Sequence, residues 1–98
     1  MIVVFDSELW LWEARRNESW TFVTVPEAVS EEIQEISAGA RRGFGSVRVA
    51  VTVGGTTWRT SIFPSDGRYV LPVKRAVRKA ESLDVGDTAT VRIELVDF

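Results

Sequence analysis

The sequence predicts a mainly β fold with two short helices, built as two similar halves that close one small barrel. Three observations predict it. Residues 46–53 alternate strictly, and counting across the pair Gly54-Gly55 sets Trp58 and Ile62 on the same inner face. Two helix-period stripes stand well apart, near Val29–Ala40 and Val73–Leu83. Each follows a strand that ends in an apolar residue and proline, Val25-Pro26 and Leu71-Pro72, and each leads to a valine-rich strand. Each half alone leaves sheet edges and an apolar face uncovered, and two related by a pseudo-twofold axis could close a barrel. At 98 residues the chain is one domain, 1–98, large enough for a single core.

Ile2 to Trp12 reads as one long strand and Trp20 to Val25 as its hairpin partner, around a turn at Arg15-Arg16-Asn17. That register sets Trp10 opposite Phe22 and Trp12 opposite Trp20. Leu9, Leu11, Val23 and Val25 fall on the other face. Both faces are apolar, so both are expected to be covered: one by the barrel interior, the other by a helix or a second subunit. A buried core hairpin accounts for most of these aromatics.

Pro26 stops the strand. Ser30 is the expected N-cap of the first helix, with Glu31 and Glu32 in its first turn. Val29, Ile33, Ile36 and Ala40 form its apolar stripe, and Gly39 its stop. Arg41-Arg42-Gly43-Phe44-Gly45 is a basic loop without the spacing or the lysine of a phosphate-cradling loop. Counting back from Gly54-Gly55 pairs Val51 with Trp58, Val49 with Thr60 and Val47 with Ile62; Ala50 with Arg59 and Arg48 with Ser61 face outward. Pro64-Ser65-Asp66-Gly67 reads as a type I or II turn. Arg68 to Leu71 is a short strand, and Pro72 sits near the first helical position. Val73, Ala76, Val77, Ala80 and Leu83 make the second helix stripe. Asp84 to Asp87 turns the chain into a half-buried strand, Thr88 to Val96.

The chain contains no histidine and no cysteine. Disulfides, structural zinc, thiol nucleophiles and histidine-based triads are therefore excluded. No metal and no cofactor is expected. Asp66, Asp84 and Asp87 could meet Lys74 or Tyr69 in space, but turn formation explains them, so the chain is read as non-enzymatic. No apolar run reaches the roughly 18 residues of a membrane span, and Met1–Phe5 lacks the basic flank of a signal peptide. A cytoplasmic protein without a membrane role is expected.

Net charge is −2, but residues 1–37 carry −6 and residues 38–98 carry +4. Arg68, Lys74, Arg75, Arg78 and Lys79 give five cations without an intervening acid. They are the candidate site for an anion or an acidic partner. A solvated helix face, paired with Glu27, Glu31, Glu32 and Glu35, explains the same run, and charge runs are commonly such faces. Trp10, Trp12 and Trp20 are the candidate anchors of a hydrophobic partner surface. Trp58, Thr60 and Phe22 could line a small-ligand pocket in the barrel, although barrels of this size are normally filled by their own side chains.

Two resemblances follow from longer motifs. Tyr69-Val70-Leu71-Pro72, the Lys74/Arg78 helix and Leu83-x-x-Gly86-Asp87 resemble the swapped-hairpin motif of bacterial AbrB/MazE-type regulators, homodimers that build a double-split β-barrel and often bind DNA. The Pro72-to-Gly86 spacing is about two residues longer than that motif. Over nearly its whole length the chain resembles the domain-of-unknown-function family 1905. The residues that carry this are Trp20-Thr21-Phe22-Val23 before Pro26, Gly43-Phe44-Gly45, Thr57 to Pro64, and Tyr69 to Ala80 with Gly86-Asp87. The resemblance implies a closed double-split barrel in one chain and brings no catalytic residues. The expected function is a non-catalytic binding or interaction module whose partner is another protein or a second copy. AbrB-like nucleic-acid binding is the alternative, against a pI near 5.1; anion or small-ligand binding in the barrel ranks below both.

Overall fold

The structure is a computed structural model that describes residues 1–15, 18–38 and 45–96. The elements are β1 (Ile2–Glu8), β2 (Trp10–Arg15), β3 (Glu18–Thr24), α1 (Glu27–Ser37), β4 (Val47–Val53), β5 (Thr56–Ser65), β6 (Arg68–Pro72), α2 (Arg75–Ala80) and β7 (Thr88–Leu95). The seven strands form one antiparallel sheet in the order β1-β7-β4-β5-β6-β3-β2.

The sheet curls into a half-barrel rather than the closed barrel expected. No ladder joins its end strands, β1 and β2. Instead the chain itself runs from one end to the other through a break at Leu9. Its first part pairs with β7 and its second with β3. Leu9 is buried, its N–H donates to the Asp87 carbonyl (2.9 Å), and its own carbonyl accepts from Gly86 N–H (2.8 Å). The expected long strand Ile2 to Trp12 is therefore two strands. β5 switches partners in the same way, from β4 up to Ile62 to β6 from Phe63.

The concave side holds the core. Val47, Val49, Val51 and Val53 of β4, Ala89, Val91, Ile93 and Leu95 of β7, and Val23, Ile62, Tyr69 and Leu71 are buried there, as alternation requires. The β4–β5 register is the expected one at every pair, Val51 with Trp58 and Ala50 with Arg59 among them. Val73 and Val77 bring α2 onto this core, with Leu83 packed at its margin; Ala76 and Ala80 stay exposed.

Helix α1 departs from the expected plan. Pro26, not Ser30, is the N-cap, and the helix ends at Ser37. Gly39, Ala40, the connector through Phe44, and Arg16-Asn17 of the first hairpin turn lie outside the described residues. Ile33 is buried, but Ile36 is 55% exposed, because Ser30 and Ser37 occupy the inward positions. Ser30 takes a different role. Its hydroxyl donates to the Val25 carbonyl (3.0 Å) and accepts from Tyr69 N–H (3.1 Å), while Val25 N–H donates to the Tyr69 carbonyl (2.9 Å). A side-chain hydroxyl is thus spliced into the end of the β3–β6 ladder, where the strand has already turned toward the helix.

Three further expectations are corrected. The turn after β5 is the pair Asp66-Gly67, with φ of 51° and 78°, since positive φ at both central residues suits a tight hairpin. Pro64 stays in β5 opposite Tyr69, beyond the last β4 pair, where its missing N–H removes no bond from that ladder. Pro72 ends β6 rather than starting α2, whose N-cap is Lys74. The match of Pro26 with Pro72 fails for the same reason. Val25 N–H bonds the Tyr69 carbonyl as Val73 N–H bonds the Thr21 carbonyl, so Pro26 corresponds to Lys74.

Candidate interaction surface

The convex side of β2, β3, β6 and the second half of β5 carries the candidate site. Trp10 lies opposite Phe22, and Trp12 opposite Trp20, as expected. Phe22 lies opposite Pro72, and Val70 opposite Phe63. Alternation turns all of these to the side away from Val23, Tyr69 and Leu71. The Trp10 and Phe22 ring centroids are 5.2 Å apart at 32°, and those of Trp20 and Phe22 are 6.4 Å apart and nearly parallel at 16°. Trp10 is fixed further by its indole N–H, which donates to Thr24 Oγ1 at 2.9 Å.

This face was expected to be covered by a helix or a second subunit, and none of the described residues of the chain covers it. Trp12 is 47% exposed, Trp20 55% and Phe63 45%. Between them, over Phe22 and Pro72, lies an open apolar hollow of about 390 Å³. A second hollow continues it toward Trp10, Pro64 and Val70. Contiguous exposed aromatic area on a small domain makes this face the candidate interaction surface. On the other face of the hairpin Leu9, Val23 and Val25 are buried as expected, whereas Leu11 is 44% exposed.

The basic candidates divide. Arg68, at the start of β6, pairs with Glu27 of α1 (3.3 Å), with both side chains about half exposed or more. Such a pair contributes little stability, but it places Arg68 with α1 and apart from the rest. At the other end of β6 the chain passes from Pro72 into α2. There Trp20, Thr21 and Pro72 form one wall of a groove of about 250 Å³, and Lys74, Arg75 and Arg78 the other. Arg78 is oriented by its Nε–H, which donates to the Val73 carbonyl at 3.2 Å. Lys79 lies beyond, in a shallow hollow with Arg75, Ser82 and Asp84. Among the described residues the ion pairs are Arg68–Glu27 and Arg92–Glu94, so Lys74, Arg75, Arg78 and Lys79 have no carboxylate partner. The expected pairing of this helix with the glutamates of α1 is therefore absent for these four.

The barrel interior offers no ligand site from Trp58, Thr60 and Phe22, because Phe22 lies on the convex side. Trp58 packs against the core with its indole N–H buried and without a partner among the described residues. Asp87 accepts from the Asp84 N–H (2.9 Å) and Asp66 sits in the hairpin turn, so these acids shape turns. No group of three potential metal ligands occurs among the described residues. No helix among them is long and apolar enough to cross a membrane.

Sequence reasoning missed Phe63 and Pro72 as parts of this face. The signal was present for Phe63: Ile62 is inward, so its neighbour is outward. Pro72 was hidden by its assignment to the helix.

No curated protein matches the chain. One family model, that of a domain of unknown function (DUF1905), matches residues 5–93 and so spans the sheet from β1 into β7. The chain belongs to the DUF1905 family.

Proposed function

We propose that this protein is a non-catalytic binding module whose ligand surface is the aromatic convex face of β2, β3, β6 and β5, continued by the basic groove at α2. The observation that carries the reading is the open hollow among Trp12, Trp20, Phe22, Phe63 and Pro72. Aromatic and arginine side chains grouped in this way are the residue types that dominate binding energy at interfaces. The turn-forming aspartates leave no residue set that reads as catalytic. The half-barrel also fits the double-split plan, in which two pseudo-symmetric halves close through strands that change partner midway. Ser7 Oγ, at the end of β1, supports that reading by donating to the Thr24 carbonyl of β3 at 2.8 Å.

Acrylamide quenching of tryptophan emission tests the binding reading. The free protein should show an accessible fraction from Trp12 and Trp20 and a protected one from Trp58. Three partners are offered in turn: the protein itself at rising concentration, an acidic peptide and a single-stranded oligonucleotide. Protection of the accessible fraction by at least one of them is the expected result. If none of the three protects it, the reading is wrong.

A second reading, AbrB-like duplex binding, draws support from the four cations of Lys74–Lys79 without ionic partners. Titration with mixed-sequence duplex DNA at low salt tests it, since the electrostatic contribution is strongest there.

A further inference from the structure

Resting on the binding reading, we propose that the occupant of this face is an extended single-stranded nucleic acid, its bases stacked on Trp12, Trp20 and Phe63 and its phosphates held by Lys74, Arg75 and Arg78. Three features of the surface combine to select it.

The first is the platform. Trp20 and Phe22 are nearly parallel on β3; Trp12 flanks them on the adjacent β2, and Phe63 on β5 beyond β6, with about half of Trp12, Trp20 and Phe63 each open to solvent. Flat rings displayed in series on a sheet are what unstacked bases need, because every base has a π-face regardless of sequence. A duplex keeps its base faces inside the stack, so this platform offers it nothing.

The second is the charge arrangement. Trp20 and the Lys74, Arg75 and Arg78 side chains line the same groove, so ring and cations reach one ligand together. Arg78 is held in place through Nε by the Val73 carbonyl, which leaves its remaining N–H groups for an anion. Among the described side chains, no outward position of β2, β3, β6 or the second half of β5 carries a carboxylate. Helix α1 packs onto the concave core through Ile33 and joins the inner edge through Ser30, and its Glu27 reaches Arg68 at the opposite end of β6 from the groove.

The third is the comparison with an acidic peptide, the other ligand that charge alone would admit. Carboxylates satisfy Lys74, Arg75 and Arg78 as well as phosphates do. A peptide does not bring planar groups at regular spacing to Trp12, Trp20 and Phe63.

The test titrates a 12-nucleotide oligo(dT) and a 12-nucleotide oligo(rU) into the protein while tryptophan emission is followed at several salt concentrations. Quenching is expected, with log K falling against log salt at a slope near −2, since each phosphate neutralised on a single strand contributes about 0.7. Trp20→Ala should weaken binding at least about fivefold and leave the slope unchanged, because one lost stack is worth about 1–3 kcal/mol. The triple variant Lys74→Gln/Arg75→Gln/Arg78→Gln should flatten the slope toward zero. These side chains are exposed or half-buried at the surface, and a far-ultraviolet spectrum confirms that each variant is folded. A preference between the two oligonucleotides identifies DNA or RNA as the better ligand. Binding that survives Trp20→Ala and Trp12→Ala unchanged, or polyglutamate that quenches as strongly as oligo(dT), overturns the proposal. Absence of binding at 20 mM salt also overturns it. If acidic peptide or self-association still shields the tryptophans from acrylamide, the wider binding reading stands without it.

Discussion

Leu71→Ala is expected to lower the unfolding free energy by about 2–5 kcal/mol, a large part of what a domain of this size has. Leu71 is fully buried and lies opposite Val23 on the β3–β6 seam. That seam joins β3 to β6, strands far apart in the chain. The removed methyl groups leave a cavity between rigid strands that cannot collapse around it. Urea unfolding, with an unchanged m-value, measures the loss. A loss below about 1 kcal/mol would show that the seam is not the packed centre described here.

Ser30→Ala is expected to remove about 1–3 kcal/mol, although only one oxygen is lost. The hydroxyl serves two backbone groups at once, the Tyr69 N–H and the Val25 carbonyl, both at a buried position. Without it both face the core unsatisfied. Ser30→Thr keeps the hydroxyl and should recover part of the loss. Equal stability of Ser30→Ala and the parent protein in thermal unfolding would remove the relay from the account.

Much of the sheet was legible in the sequence. The β4–β5 register follows from two strands that choose the same inner face on either side of Gly54-Gly55. The Trp10–Phe22 and Trp12–Trp20 pairs follow in the same way. Period-2 patterns of this kind are decisive because a one-residue slip would expose every valine. What was not legible depended on tertiary contacts. Ser30 has the residue type of an N-cap, and its actual role needs Tyr69, distant in sequence, to be placed beside it. Ile36 fits a helical stripe, but α1 meets the sheet along Ser30, Ile33 and Ser37, and the stripe's edge is left in solvent. Asp66-Gly67 and Pro64 together suggested a longer turn, and the tighter one prevailed because β5 has no β4 partner to lose at Pro64. Closure was overread because periodicity gives faces, not the number of strands that complete a circle.

The site was half legible. The three tryptophans were singled out as anchors of a partner surface; Trp12 and Trp20 are exposed there and Trp10 is half-buried, whereas a buried hairpin was the reading for most of these aromatics. The basic run read as a single cluster, and the fold splits it by sending Arg68 to Glu27 and the rest to the groove beside Trp20. Phe63 and Pro72 complete the hollow from strands that no local pattern ties to the tryptophan hairpin.

The most direct measurement is a map of amide and indole NMR shifts on adding oligo(dT). The account predicts changes confined to Trp12, Trp20, Phe22, Phe63 and the Lys74–Arg78 segment, with the Trp58 indole and α1 silent. Shifts confined to α1, or to β1, β7 and β4, would place the binding surface elsewhere and contradict it.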